Sequence, residues 1–258
     1  DVMAKLEVEL IPALSDNYIY LAHEPESGET AVVDPAEAKS VLAAAEAKGW
    51  KITHILNTHH HGDHTAGNEA VKEATGAPIV GPSYDKARIP GLDVALSEGD
   101  TYSVGNATAE VFFTPGHTSG HISFWFKDAD VLFSGDTLFA LGCGRLFEGD
   151  AKQMWDSLQK LRRLPDSVKV YCGHEYTMTN VRCATDIEPD NQDLQAYKQR
   201  VEALRGAGKP TIPADLGEEK RCSPFLRADD PALAQALGMA GADPVDVFAA
   251  VREKRNGY

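Results

Sequence analysis

Hydrophobic and polar positions along the first two thirds of the chain form short runs typical of strands, separated by stretches with helical spacing. Strands are predicted where β-branched and aromatic residues dominate and turn residues bound the run. The predicted strands cover 6–11, 18–23, 30–33, 52–56, 78–81, 107–113, 122–126, 131–133 and 168–172. The predicted helices cover 36–48, 66–74 and 151–163, the first two closed by Gly49 and Gly76. The first three strands indicate an antiparallel meander at a sheet edge.

The pattern changes after residue 174. Helical spacing covers 181–186, 191–205, 231–237 and 244–254, and no strand is predicted there. We therefore predict an α/β domain over residues 1–174 and a smaller all-α domain over residues 175–258. A chain of 258 residues is long enough to bury a full core in such an arrangement.

Polar side chains follow several of the predicted strands at the point where each strand ends. The segment Thr58–His64, which reads T-H-H-H-G-D-H, follows the strand over 52–56, and His117, Asp136 and His174 come shortly after later strands. Reactive groups in α/β folds commonly lie at the carboxyl ends of strands. Imidazole and carboxylate together suit a divalent metal, zinc first and iron or manganese next.

The number of these groups indicates more than one ion. A catalytic zinc takes about three protein ligands and keeps one position open, so seven candidates suit two ions that share a carboxylate. The candidates are His59, His61, Asp63, His64, His117, Asp136 and His174. His60 would point away from its neighbours on an extended segment, so it is left out. His23, His54 and His121 are also predicted not to bind metal, although His121 lies close to His117.

Composition and charge limit the classes of function and the cellular compartments that fit this chain. A hydrophobic content of 43% and a charged content of 25% are typical of a soluble globular protein, and no apolar run could cross a bilayer. The net charge of −14 argues against a nucleic-acid partner. The four cysteines form no C-x-x-C pair and no leader opens the chain, so we expect a cytoplasmic protein with reduced thiols. We also expect a monomer.

The order of these motifs resembles the metallo-β-lactamase superfamily, and within it the glyoxalase II (hydroxyacylglutathione hydrolase) family. Thr58–His64 is similar to the superfamily signature T-H-x-H-x-D-H. The later superfamily motifs are Pro115-Gly116-His117-Thr118, Gly135-Asp136-Thr137-Leu138-Phe139 and Gly173-His174-Glu175-Tyr176-Thr177. The glyoxalase-like motifs are Asp16-Asn17-Tyr18, Cys143-Gly144-Arg145, Phe147-Glu148-Gly149, Gly217-Glu218-Glu219-Lys220 and Pro224-Phe225-Leu226-Arg227.

The resemblance implies an αββα sandwich followed by a helical domain that completes the substrate pocket. It implies that His59, His61 and His117 bind one metal, that Asp63, His64 and His174 bind the other, and that Asp136 bridges them. The implied reaction is hydrolysis of the thioester S-D-lactoylglutathione to glutathione and D-lactate, in methylglyoxal detoxification. Two adjacent metals give hydroxide near neutral pH, so a metal-bridging hydroxide is the expected nucleophile, with Asp63 and Asp136 as the catalytic residues that bind the metals.

The resemblance also implies that Arg145, Phe147, Tyr176, Arg252 and Arg255 line a glutathione pocket. Phe147 stands where the family often has tyrosine, and Arg255 stands where lysine is usual, which keeps the charge but changes its geometry. Arg252 and Arg255 share one face of the last helix. Apart from the resemblance, cations at a helix C-terminus would simply complement the helix dipole.

Other functions of the same scaffold stay open at this point. One alternative is another enzyme of this scaffold, namely a lactonase, a β-lactamase or a mononuclear-iron persulfide dioxygenase. β-Lactamases generally lack an aspartate at position 136. The number of metal ions per chain would distinguish the dioxygenase, which uses one iron, from an enzyme with two metals. A nuclease would need a basic surface that this acidic chain does not predict. A non-catalytic metal-storage protein would have no thioesterase activity.

Overall fold

The computed structural model describes residues 5–258 and divides into two compact units. The first unit contains residues 5–114 and Ser119–Gly135, and the second contains Pro115–Thr118 and Asp136–Tyr258. The chain therefore passes between the units on both sides of His117 and directly before Asp136. The boundary at residue 174 rests on the sequence pattern and stays a prediction.

One sheet of the first unit has the strand order β1-β2-β3-β4-β5-β6. The strands are β1 (Glu7–Ala13), β2 (Asn17–His23), β3 (Glu29–Val33), β4 (Lys51–Leu56), β5 (Ile79–Pro82) and β6 (Val94–Leu96). The first three are antiparallel neighbours, so the predicted edge meander is confirmed. From β3 onward the pairs are parallel, which places the ends of β3 and β4 at the same edge of the sheet.

Helices connect the parallel strands and cover one face of this sheet. They are α1 (Lys39–Lys48), the single turn α2 (Gly62–Thr65) and α3 (Asn68–Thr75). The first and third end at Gly49 and Gly76, whose left-handed backbones confirm the predicted C-termini. Leu21 and Val32 of the sheet pack with Val41 of α1 and Val71 of α3 in one buried cluster.

Four strands of a second sheet lie within the same unit and pair antiparallel with their neighbours. They are β7 (Thr101–Val104), β8 (Ala107–Phe113), β9 (Ile122–Phe126) and β10 (Val131–Gly135). The two sheets pack face to face, since the rings of Tyr20 on β2 and Phe133 on β10 lie 5.6 Å apart between centroids. Both side chains are buried, so these strands form a two-sheet core with helices on its outer side.

The second unit is mainly helical. Its strands are β11 (Leu138–Phe139), β12 (Gly142–Cys143), β13 (Lys169–Cys172) and β14 (Ala214–Asp215). Its helices are α4 (Ala151–Arg162), α5 (Thr177–Ile187), α6 (Gln192–Gly206), α7 (Leu216–Cys222), α8 (Pro231–Ala236) and α9 (Pro244–Asn256). The prediction of no strand after residue 174 is wrong, because Ala214–Asp215 pairs with Lys169–Val170. Two residues are too few to show alternation, so only this long-range pairing identifies the strand.

Two further expectations concern the membrane and the cysteines. Among residues 5–258, no helix combines the length and apolar character needed to cross a membrane. All four cysteines lie in this part of the chain, are buried, and form no disulfide with one another. The sequence-based prediction that they are not a disulfide framework is therefore confirmed.

Candidate functional site

In the first unit, the histidine segment Thr58–His64 is anchored to Asp34, the residue that follows β3. The backbone N–H of Thr58 donates to Asp34 Oδ1 over 2.8 Å, and its hydroxyl donates to Oδ2 over 2.7 Å. Asp34 adopts a left-handed backbone with φ 52°, a conformation that aspartate tolerates better than most residues. Because β3 and β4 are parallel neighbours, this carboxylate lies where the histidine segment begins.

The same carboxylate orients His64. Nδ1 of His64 lies 3.0 Å from Asp34 Oδ2, and both side chains are buried. An ionised carboxylate has no proton to donate, so Nδ1 of His64 is the donor and Nε2 is the ring nitrogen left to bind a cation. That Nε2 lies 3.2 Å from Oδ2 of Asp63.

The other candidate ligands of this segment lie beside His64. His59 is fully buried, with Nδ1 2.9 Å from the Thr58 hydroxyl. One ligand atom of His59 and one of His61 lie within 4.8 Å of each other. Asp63 is held by Asn17, whose amide nitrogen donates to Asp63 Oδ2 over 3.0 Å. The segment thus presents nitrogen and oxygen atoms to one region of the first unit.

His23 and His54, both predicted not to bind metal, have structural partners. The ring of His23 stacks on Trp50 with centroids 4.4 Å apart. His54 lies between Glu29, at 2.8 Å from Nε2, and the hydroxyl of Tyr102, at 2.6 Å from Nδ1. Burial and the nearby Glu29 charge raise the pKa of Tyr102 to about 12, so this hydroxyl stays protonated.

His60 and His121 lie closer to the candidate ligands. Nδ1 of His60 lies 3.7 Å from the buried carboxylate of Asp85. His121 is fully buried and stacks on His59 with centroids 4.9 Å apart, and its Nδ1 lies 3.0 Å from the hydroxyl of Thr114. His121 thus packs against a candidate ligand ring and helps to fix its plane.

In the second unit, two imidazoles face a single oxygen of Asp136. Oδ2 of Asp136 lies 3.3 Å from Nε2 of His117 and 3.2 Å from Nε2 of His174. Nδ1 of His117 lies 2.8 Å from the backbone carbonyl of Arg145. A carbonyl can only accept, so Nδ1 of His117 is the donor, and Nε2 is the ring nitrogen that faces the Asp136 carboxylate.

These distances fit metal ligands. Two ligand atoms bound about 2.0 Å from one tetrahedral ion lie about 3.3 Å apart. The three nitrogen–oxygen pairs formed by His64 with Asp63, His117 with Asp136, and His174 with Asp136 span 3.2–3.3 Å. For His64 and His117, a lone pair directed at a carboxylate is repulsive unless a proton or a cation lies between the atoms. The donor set of each unit therefore suits a divalent cation.

Gly144 lies directly against the ligands of the second unit. A Cβ added to Gly144 would be 2.0 Å from the backbone oxygen of Asp136 and 2.9 Å from Nδ1 of His117. Only a residue without a side chain fits this space. The glycine of the Cys143-Gly144-Arg145 motif is therefore required by a close approach.

Aromatic rings surround His174 and His117. The ring of His174 is parallel to that of Tyr176, with centroids 4.8 Å apart, and Phe139 lies edge-on to both rings. Phe147 lies 5.2 Å from the ring of His117 and is 63% exposed. Two of the predicted substrate residues, Tyr176 and Phe147, thus contact candidate ligand rings in the second unit.

A cavity of about 480 Å³ lies beside Phe147 in the second unit. It is lined by Arg145, Leu146, Phe147, Ala151, Ala249, Arg252, Glu253 and Asn256. Arg252 is buried and donates to the backbone oxygen of Cys143, so part of its hydrogen-bonding capacity is used within the protein. The structure therefore brings Arg145, Phe147 and Arg252 to one cavity.

Arg255 lies outside the described lining of that cavity. Its Nε donates to the side-chain oxygen of Asn180 over 2.7 Å. Burial, followed by the positive charges of Arg252 and Arg145, lowers the pKa of Arg255. Three arginines of the second unit are thus close enough to influence one another.

Sequence reasoning missed the role of Asp34 and did not single out Asn17 as a positioning residue. Asp34 follows a predicted strand directly, as the candidate ligands do, so the same strand-end pattern could have identified it. The contact between Asn17 and Asp63 spans 46 positions and leaves no local signal.

Comparison with known proteins gives two family matches that together cover residues 14–258. Residues 14–174 match the metallo-beta-lactamase superfamily, and residues 175–258 match the hydroxyacylglutathione hydrolase C-terminus. The metallo-β-lactamase fold with a helical C-terminal domain, as the sequence predicts, is thereby confirmed.

Full-length relatives carry the same family description. The chain is 56% identical to a hydroxyacylglutathione hydrolase of Rhodospirillum rubrum, over 99% of this chain and 100% of the relative. It is 55% identical to a hydroxyacylglutathione hydrolase of Methylococcus capsulatus, over 98% of this chain and 99% of the relative. Among solved structures, ETHE1 from Myxococcus xanthus matches with a TM-score of 0.70 at 26% identity, over 96% of this chain and 90% of that chain.

Asp34→Asn tests the orienting carboxylate. The amide keeps an acceptor for the Thr58 N–H but loses the negative charge that holds His64, so zinc affinity should fall about 10–100-fold. Competition with a chromophoric chelator measures the affinity. Asp93→Asn, which changes an exposed aspartate that pairs with Lys72, is the matched control and should leave zinc affinity unchanged. Equal affinity in both variants would contradict the role assigned to Asp34.

Gly144→Ala tests the close approach in the second unit. The added methyl group must displace Asp136 or His117, so the purified variant should contain at least one metal ion fewer per chain. Gly206→Ala is the control, because a Cβ there meets no atom within 4 Å. Mass spectrometry of the metals in both variants measures the difference, and a normal content in Gly144→Ala would count against the assignment.

Proposed function

Because the chain belongs to the hydroxyacylglutathione hydrolase family of the metallo-β-lactamase superfamily, we propose that it hydrolyses S-2-hydroxyacylglutathione thioesters. The first substrate to consider is S-D-lactoylglutathione, which gives glutathione and D-lactate in the removal of methylglyoxal. The observation that carries this proposal is the full-length match at 56% identity, which includes the C-terminal part specific to this family.

We propose that the ligand sets of the two units together bind two divalent ions. One ion would be held by His59, His61 and His117, the other by Asp63, His64 and His174, with Asp136 bridging both. The single oxygen of Asp136 that faces both His117 and His174 supports a bridging role, because a bridging carboxylate must serve ligand sets on two ions.

The path of the chain supports the proposal that the ligands of the two units bind the same pair of ions. Gly135 directly precedes Asp136, and a Cβ added to Gly135 would lie 2.4 Å from the hydroxyl of Thr58, the residue before His59. Ile122 N–H donates to the carbonyl of Thr58 over 2.9 Å, and Thr114 N–H donates to the carbonyl of His121 over 2.8 Å. The segments on both sides of His117 and the one before Asp136 therefore begin or end close to the histidine segment.

When bound, two such ions supply a water activated near neutral pH and a Lewis acid for the thioester carbonyl. Asp63 and Asp136 stay ionised beside cations, and they serve as ligands rather than as free bases. Asn17 holds the carboxylate of Asp63, and Gly144 lets the backbone approach Asp136 and His117. A thiolate is a good leaving group, so the proposed reaction requires no separate general acid.

The cavity of the second unit is the proposed site for glutathione. The net charge of −14 repels an anion at long range, so binding of glutathione carboxylates requires local cations. Arg145 and Arg252 provide such cations at the cavity, and Phe147 offers an exposed apolar ring. We include Arg255 and Tyr176 in the same substrate site, supported by the influence of Arg145 and Arg252 on the pKa of Arg255.

Zinc is the metal we propose, although the same nitrogen and oxygen ligands accept iron or manganese. We further propose that the protein acts in the cytoplasm as a monomer on a small molecule, without a nucleic-acid partner. The four buried cysteines without a disulfide support a reducing compartment. The acidic net charge opposes binding to a phosphate backbone.

A thioester assay tests the proposed function. Loss of thioester absorbance with S-D-lactoylglutathione should be catalysed by the zinc-loaded protein, abolished by a chelator, and restored when zinc is added back. The Asp136→Ala variant, purified in parallel, is the control for contaminating enzymes. Its rate should fall by more than about a hundredfold, because even partners outside the ligand shell cost 10–100-fold. An absent rate, or one that persists in excess chelator, would exclude this function.

Arg145→Ala tests the substrate site. The variant keeps the backbone carbonyl that accepts from His117 but loses a cation of the cavity, so KM should rise about tenfold, the equivalent of one charged hydrogen bond, while kcat changes little. Arg163→Ala removes an exposed arginine outside the cavity lining and serves as the control. A fall in kcat with unchanged KM would argue against a binding role for the Arg145 side chain.

A further inference from the structure

Glu219 is a buried carboxylate in the second unit and is not one of the candidate metal ligands. It lies on α7 and is 0% exposed. Oε1 accepts from the hydroxyl of Tyr197 over 2.6 Å, and Oε2 accepts from the backbone N–H of Leu141 over 2.7 Å. Burial raises the pKa of Glu219 to about 7, so retaining an acid here carries a desolvation cost. Its two hydrogen bonds indicate what it holds in place.

Leu141 is the second residue of the two-residue turn that joins β11 and β12. Its φ of 56° places a leucine in the left-handed region, where a side chain with Cβ is strained. The side chain is fully buried and packs with Val181 and Leu194. The N–H bond to Glu219 and this packing together stabilise an otherwise unfavourable turn.

Two other helices hold the same hairpin. The side-chain nitrogen of Asn180 on α5 donates to the carbonyl of Ala140 over 3.0 Å. Arg252 on α9 donates to the carbonyl of Cys143. Side chains from α5, α7 and α9 thus bind backbone groups at three positions of one short hairpin, Ala140, Leu141 and Cys143.

The hairpin lies between Asp136 and the segment that supports His117. Gly144 directly follows β12, and a Cβ added to it would collide with the backbone oxygen of Asp136 and the ring of His117. The next residue, Arg145, accepts from Nδ1 of His117 through its carbonyl and lines the cavity with its side chain. A shift of the hairpin therefore shifts the hydrogen bond that orients His117.

We propose that Glu219 is a positioning residue that, through the N–H of Leu141, sets the hairpin so that Gly144 and Arg145 hold His117 in its metal-binding orientation. This inference rests on the proposed function only in taking His117 as a metal ligand. It assigns to the C-terminal helices a role in zinc binding in addition to their role around the substrate cavity.

The test compares full-length variants at Glu219 and Tyr197 with the wild-type protein. Glu219→Met keeps a similar volume but removes the acceptor for Leu141, since methionine adapts to core spaces of this size. Glu219→Gln is the conservative variant, because its amide oxygen can accept from Leu141 while its nitrogen donates to Tyr197. Tyr197→Phe removes the other partner of Glu219 and leaves the bond to Leu141 intact.

Two measurements made without substrate decide the outcome. In Glu219→Met, amide hydrogens of residues 138–145 should exchange at least tenfold faster, and the zinc ion that depends on His117 should bind at least tenfold more weakly, as chelator competition measures. The second zinc ion, which shares only Asp136 with the first, should lose less affinity than the first. In Glu219→Gln and Tyr197→Phe, the exchange rates and the zinc affinities should stay within about threefold of the wild-type values, because the bond to Leu141 is kept.

The proposal would be overturned if Glu219→Met bound both zinc ions equally more weakly. It would also be overturned if this variant kept the wild-type exchange rates and zinc affinities. If Glu219→Met does not fold, the Leu141 amide of the wild-type protein decides, since it should exchange as slowly as the amides of α5. Rapid exchange of that amide would contradict the proposal. A wild-type protein that binds two zinc ions but leaves the thioester intact would overturn only the proposed function.

Discussion

The candidate metal site depends on hydrogen bonds to the far side of its imidazole rings. In the first unit the carboxylate of Asp34 accepts from His64 and also anchors Thr58, where the histidine segment begins. In the second unit the carbonyl of Arg145 accepts from His117. Each bond fixes one nitrogen as the donor and leaves the other for a cation, so metal binding depends on elements that carry no ligand themselves.

Local chemistry made much of the fold predictable. The strands Ala107–Phe113 and Ile122–Phe126 have the bounds that the sequence predicts, because turn residues bound each apolar run. The left-handed glycines Gly49 and Gly76 end the helices that they were expected to end. The candidate ligands were recognisable in the sequence because they follow predicted strands. The structure then places His64, His117 and His174 each beside a carboxylate oxygen of its own unit.

Long-range contacts made the rest unpredictable. Arg252 was expected at the substrate pocket, and it lines the cavity, but it also donates to Cys143 across 109 positions. The carboxylate of Glu219 contacts Leu141 across 78 positions, and Ala214–Asp215 is a strand only because it pairs with Lys169–Val170. Hydrophobic periodicity reports the neighbours of a residue in its own element, and these contacts join elements that are distant along the chain.

X-ray absorption spectroscopy of the zinc-loaded protein tests the central claim most directly, because it reports the atoms around each ion without reference to any substrate. The account predicts two zinc ions per chain, nitrogen and oxygen ligands that include several imidazoles, and a zinc–zinc scattering path of about 3.5 Å. A single zinc ion per chain, or two ions without a common scattering path, would contradict it.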